Sequence, residues 1–102
     1  MELHLESGHV ILGATVDDIF AHIDGEEFAI LSASADTYIQ CARQNDPPYE
    51  YLLEYQNGSL DEHYVAADEQ ITLVQVQFAF VKYLRGDPAW HSDFLWEKMD
   101  LT

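Results

Sequence analysis

Lys and Arg are nearly missing from this chain: four of them stand against nineteen Asp and Glu in 102 residues, leaving a formal charge of −15 at neutral pH. A surface of that sign repels nucleic acid and anionic membranes, so direct binding to either is excluded, and it attracts cations and basic proteins. A single cysteine, Cys41, excludes an intramolecular disulfide. No apolar run approaches the roughly 18 residues of a membrane span, and the chain opens without a basic-then-apolar leader, so the expected setting is the cytoplasm. Asn57-Gly58-Ser59 matches a glycosylation sequon, but in that setting it reads as a tight turn.

Catalytic and metal motifs are equally scarce. None of the five histidines belongs to an HxH, HxxxH or HExxH unit, no serine sits in G-x-S-x-G, and no glycine-rich phosphate loop is present. Asp18 and His22 are one helical turn apart with Asp17 adjacent, which offers a cation two ligands, whereas a solvated helix face needs no ligand to explain it. Cys41 lies in an apolar run, where a small buried thiol is the ordinary reading. No catalytic residue, metal or cofactor is assigned, and the chain is expected not to be an enzyme.

What is present is a core. Hydrophobic residues make up 48% of the chain and aromatic residues 13%, unlike a disordered acidic segment. The length suits one domain, 1–102. The first dozen residues alternate and break at Ser7-Gly8, predicting two short strands. Val16, Ile19, Phe20 and Ile23 recur at helical spacing behind Thr15 as a cap, with Gly25 as the stop, predicting a helix at about 16–23. Residues 28–32 and 37–42 read as strands, and Pro47-Pro48 marks a junction. Residues 71–85 alternate in part, yet Thr72 and Gln75 have the spacing of a capping box, Gly86 suits a left-handed stop, and Lys82 and Arg85 lie at the negative end of the dipole. The reading is a helix. So few of its positions are polar that the sheet alone cannot cover it. Either the C-terminal tail, where Asp87-Pro88 can open a short helix and Trp90, Phe94, Leu95, Trp96 and Met99 supply apolar area, or a second copy of the chain must do the rest. The fold expected is α+β: an antiparallel sheet of four or more strands, with a short N-terminal helix and a longer helix near the C-terminus packed on one face.

Residues 49–56 and 59–65, joined by Asn57-Gly58, read as a hairpin with a two-residue type I′ turn. That register sets Glu54 opposite Asp61 and Leu52 opposite His63. One face then carries Tyr51, Leu53, Tyr55 and Tyr64 with Glu62 as its single charge, and the other carries Glu50, Glu54, Asp61 and His63. Like charges opposed across a ladder repel. The second face is therefore either a solvated exterior softened by His63 or a docking surface for a cationic partner. The candidate partner-binding residues are Glu50, Glu54, Asp61, Glu62, His63 and Tyr64, with Tyr64 or a tryptophan as anchor.

From Glu54-Tyr55-Gln56-Asn57-Gly58-Ser59-Leu60-Asp61-Glu62-His63-Tyr64, through Tyr83-Leu84-Arg85-Gly86-Asp87-Pro88-Ala89-Trp90, to Phe94-Leu95-Trp96-Glu97, the chain resembles small uncharacterised bacterial acidic proteins. Acidic proteins of this size and type in turn resemble the immunity partners of secreted toxins. The resemblance covers roughly the C-terminal half, carries no motif of known chemical role, and implies a non-enzymatic intracellular protein. Together with the charge, it leads to an expected acidic binding protein of the immunity type, occupying the basic cleft of a toxin such as a nuclease. A structural or regulatory homodimer and a mimic of duplex DNA are the competing expectations.

Overall fold

A computed structural model describes residues 1–44, 49–68 and 70–100; the Pro47-Pro48 junction lies outside them. Seven strands form one antiparallel sheet: β1 (Glu2–Leu5), β2 (Val10–Ile11), β3 (Phe28–Ser34), β4 (Thr37–Gln44), β5 (Glu50–Asn57), β6 (His63–Ala66) and β7 (Trp96–Lys98). Their order across the sheet is β2-β1-β3-β4-β5-β6-β7, so the neighbours in space are mostly neighbours in sequence. α1 (Val16–His22) falls between β2 and β3, and α2 (Leu73–Arg85) with the single-turn α3 (Ala89–Ser92) carries the chain from β6 back to β7.

The strands form where residues alternate. Leu3, Leu5, Ala29, Leu31, Ile39, Cys41, Tyr51, Leu53 and Tyr55 all turn to one side, because the register places Leu3 against Leu31, Leu31 against Ile39 and Ile39 against Tyr55. Ile19 and Ile23 of the α1 region and Val76, Ala79 and Phe80 of α2 close over that side to complete the core. Both helices lie on this one face.

Both helix starts follow their sequence signals. Thr15 caps α1 and Asp18 reaches back to the Thr15 backbone, a reciprocal pair repeated by Thr72 and Gln75 at the start of α2. Gly86 ends α2 in the left-handed region, with its N–H on the carbonyls of Lys82 and Tyr83. α2 begins at Leu73, two residues inside the expected start, because the Ile71 carbonyl is taken by the Tyr51 N–H of β5.

The cover over α2 comes from the chain itself on two flanks, α1 on one and α3 on the other. Trp90 meets Tyr83 edge-on at 5.1 Å, and Phe94 is buried. Val74 and Phe78 stay outside, 57% and 51% exposed, and Phe78 meets Phe20 of α1 at 6.1 Å.

The expected hairpin is corrected. Asn57 is the last residue of β5, paired with Thr37 of β4, and it does not adopt the positive φ that a type I′ turn requires. Gly58 alone does (φ 88°), and its N–H goes to the Asp36 carbonyl of the neighbouring turn. A 3-10 turn, Leu60–Glu62, then lengthens the connection, so β6 enters four residues later than the two-residue turn would place it. Gln56 pairs with His63, Tyr55 with Tyr64 and Glu54 with Val65. An even shift preserves which face each strand residue points to but removes the opposition of Glu54 and Asp61.

Candidate binding face

With both helices on one side, the other side of the sheet has no helix over it among the described residues. Opposed residues of an antiparallel ladder share a face, so the register gives its composition directly. One row runs Val10, His4, Ile30, Gln40, Glu54, Val65, Glu97, and the flanking rows are Glu2, Ser32, Tyr38, Gln56, His63 and Phe28, Ala42, Leu52. Gln44 and Glu50 end the face at the far end of β4 and β5. Four glutamates stand on these strand positions and neither Lys nor Arg does. Arg43 falls on the helix side, with its guanidinium 4.5 Å from the centre of the Tyr49 ring, and Lys98 pairs with Tyr64 there.

At the centre of the β4–β6 part of this face, five side chains form one hydrogen-bonded network. His63 sets Nδ1 3.0 Å from Gln56 Oε1 and Nε2 3.0 Å from Glu54 Oε1. The Gln56 NH₂ donates to the Asp36 carbonyl at 3.2 Å, and its oxygen accepts from the Tyr38 hydroxyl at 3.1 Å, which fixes the amide with its oxygen towards His63. Both ring nitrogens of His63 are thereby engaged by side-chain oxygens, one from Gln56 and one from the Glu54 carboxyl. Gln40 Nε2 donates to the second oxygen, Glu54 Oε2, at 3.2 Å. The His63 and Glu54 side chains keep only 5% and 13% of their surface, so this pair is held far more rigidly than a surface ion pair. Burial, followed by the nearby Glu54 and Asp36 carboxylates, raises the Tyr38 phenol above the usual tyrosine range.

A shallow depression of about 270 Å³ opens on the same face, lined by Phe28, Ile30, Gln40, Ala42 and Glu54 with the Cys41 backbone position. It exists because the small Ala42 sits in register between Phe28 and Leu52.

Of the six candidate residues, the structure brings Glu50, Glu54 and His63 onto this open face. Asp61 and Glu62 stand exposed on the 3-10 turn beyond its end. Tyr64 points to the helix side, stacked on Tyr55 at 4.9 Å, and its hydroxyl donates to the Glu62 carboxylate at 2.6 Å, the main cause that holds this phenol above its usual range. Sequence reasoning missed Tyr38, Gln40 and Gln56, which position the acidic pair. The alternation of Tyr38, Gln40 and Ala42 against Ile39 and Cys41 was the signal that marks their strand face.

Chemistry of other kinds finds little footing. Burial pushes the Cys41 thiol up to about 12, so the nucleophilic thiolate does not form near neutrality. Among the described residues no group of three or more His, Cys, Asp or Glu side chains is arranged to hold a metal ion. A second depression, of about 320 Å³, opens at the sheet end beside Tyr55, Tyr83, Trp90 and His91. Its rings pack edge-on against one another at 4.9 to 5.5 Å, and Tyr55 Oη lies 3.1 Å from His91 Nε2, the arrangement of a core margin. No described helix is long and apolar enough to cross a membrane. No protein-family model, curated protein or solved structure matches this chain.

Proposed function

We propose that this chain is a non-enzymatic acidic binding protein that docks a basic protein on the open face of its sheet, in the manner of an immunity-type inhibitor set into the basic cleft of a toxin such as a nuclease. One observation carries the reading: among the described residues the open face holds Glu2, Glu50, Glu54 and Glu97, no Lys or Arg, and an apolar interior of Ile30, Ala42, Leu52 and Val65. The charge of −15 steers a basic partner inwards at rates above those of neutral surfaces. Apolar residues among the carboxylates then exclude water from the contact and slow dissociation. That mixture departs from the regularly spaced rows of carboxylates a duplex mimic requires, since Glu54 and Glu97 are separated by Val65 and Glu2 and Glu50 stand in other rows. The test is chemical-shift mapping of the labelled protein with an arginine- and lysine-rich polypeptide. Shifts concentrated on β3–β6 open-face residues, weakened by salt and lost in Glu50→Lys with Glu97→Lys, support the reading. Shifts spread evenly over Asp17, Glu27 and Asp87 as well would overturn it.

A second reading, a structural or regulatory homodimer, draws on the exposed apolar strip of Phe20, Val74 and Phe78 on the helix layer. Sedimentation over a wide concentration range tests it. A dimer abolished by Phe78→Ser supports it, and a monomer at the highest concentration removes it.

A further inference from the structure

The proposed docking reading leaves open which partner group the open face recognises, and the neighbourhood of Glu54 answers that. We infer that the depression beside Glu54 is a receptor for an arginine side chain of the basic partner. The inference rests on the docking reading above but makes a narrower claim.

The cavity holds about 270 Å³, the scale of one long side chain. Its lining combines the apolar Phe28, Ile30 and Ala42 with the polar Gln40 and Glu54. Lys and Arg have this two-part character, an aliphatic stem that is favoured against apolar surface and a cationic head that needs an anion. Among the described residues no Lys or Arg lines the cavity, and His63 meets the Glu54 carboxyl through Oε1.

Glu54 distinguishes between the two cations. Each of its oxygens already has one protein donor, His63 on Oε1 and Gln40 on Oε2. A carboxylate offers about four acceptor positions. By that count one is left on each oxygen, and two donors to the two oxygens of one carboxylate are what a planar guanidinium fork supplies and a compact ammonium does not. The Phe28 ring beside the cavity suits the flat face of a guanidinium as well. Because the carboxylate is held before the partner arrives, little side-chain freedom remains to be lost on binding.

The experiment titrates the intact, methyl-labelled protein with N-acetyl-arginine methylamide, its neutral isostere N-acetyl-citrulline methylamide, and N-acetyl-lysine methylamide. The result expected is a millimolar interaction with the arginine amide that moves the Ile30 and Ala42 methyl signals, weakened about tenfold or more for citrulline and clearly weaker for lysine. Two variants should lose it: Glu54→Gln, which keeps a hydrogen-bond partner for His63, and Ala42→Leu, which fills the depression from a half-buried position on the open face. Equal binding of citrulline overturns the charge argument, equal binding of lysine overturns the fork, and binding retained in both variants places the ligand elsewhere. Running the basic polypeptide in parallel separates the two levels. If the polypeptide still maps to the open face while the arginine amide does not enter, this inference alone fails; if neither binds there, the docking reading fails with it.

Discussion

Glu54 and His63 meet at 3.0 Å although neither stands opposite the other in the sheet, for Glu54 pairs with Val65 and His63 with Gln56. The contact is diagonal across the β5–β6 ladder, and it exists because the 3-10 turn delays β6 by four residues. The turn thus replaces an expected repulsion of two carboxylates with a hydrogen-bonded contact between Glu54 and His63.

Removing the imidazole should be costly. His63→Ala leaves the Glu54 carboxylate and the Gln56 oxygen short of a partner where little water reaches, and should destabilise the fold by about 2 kcal/mol. In a Glu54→Ala background the same change should cost less, with a coupling of about 1 kcal/mol. Urea melts of the four proteins check this, and additive costs would show that the pair does not act as a unit.

The turn itself separates two neighbouring residues. Asn57→Thr should be tolerated within about 0.5 kcal/mol, because residue 57 is in an ordinary extended strand. Gly58→Ala should cost about 1 kcal/mol, since φ is 88° although no atom would crowd the added methyl. Equal sensitivity at both positions would indicate the two-residue turn after all.

Much of the fold was legible in the sequence, and the failures have one cause. The caps at Thr15 and Thr72 and the stop at Gly86 are local, set by side chains within three or four residues of the backbone they serve, so spacing alone reveals them. Strand faces were legible for the same reason, since alternation is local. The β5–β6 register was not, because the Asp36 carbonyl, from another turn, accepts the Gly58 N–H, and Asn57 is held by pairing with Thr37. Glu50, Glu54 and His63 were found because they lie on one parity of β5 and β6. The residues that make them a site, Tyr38 and Gln40 of β4, come from the other neighbour in the sheet.

The two phenylalanines of α2 should behave in opposite ways. Phe80 is fully buried against the sheet, and Phe80→Ala should cost about 3–5 kcal/mol through the lost burial and the remaining cavity. Phe78 is half exposed, its ring touching Phe20, and Phe78→Ala should cost less than about 1 kcal/mol. Guanidinium melts decide it, and a large loss at Phe78 would point to a partner surface already covering it in solution.

Salt should stabilise the protein. The close contacts between acidic and basic side chains among the described residues are His4 with Glu2, His63 with Glu54 and Lys82 with Asp93, few beside a charge of −15, so repulsion outweighs attraction. Sodium chloride at 0.1 M shortens the screening length to about 10 Å and should raise Tm by several degrees, about 1 kcal/mol corresponding to about 4–8 °C in a domain of this size. A Tm lowered by salt would mean that attractive pairs dominate the surface.

The pH dependence has a definite shape at each end. Burial raises the phenols of Tyr38, Tyr51, Tyr55 and Tyr83, the Glu62 hydrogen bond raises Tyr64, and burial takes Cys41 to about 12. In an unfolded chain the thiol titrates near about 8.5 and the phenols near about 10. A folded value above the unfolded one means that the native state keeps protons the unfolded state has released, so stability is complete below the unfolded values and is lost as pH rises through the folded ones. Asp18 works the other way. Hydrogen bonds from the Thr15 backbone and then its hydroxyl hold that carboxyl below its ordinary value, and its contribution is present above about 3.9 and lost as pH falls through the folded value. The expected alkaline limb is a cooperative loss of circular dichroism beginning above about pH 9, with tyrosinate absorbance rising in step rather than ahead of it. Thr15→Val should flatten the acid limb, because it removes the hydroxyl donor to Asp18, and should lower stability by about 1 kcal/mol at every pH, because the Asp18 N–H loses its cap acceptor. Tyrosines that ionise freely near pH 10 while the dichroism stays native would show that the aromatic side chains are not packed between the sheet and its helices.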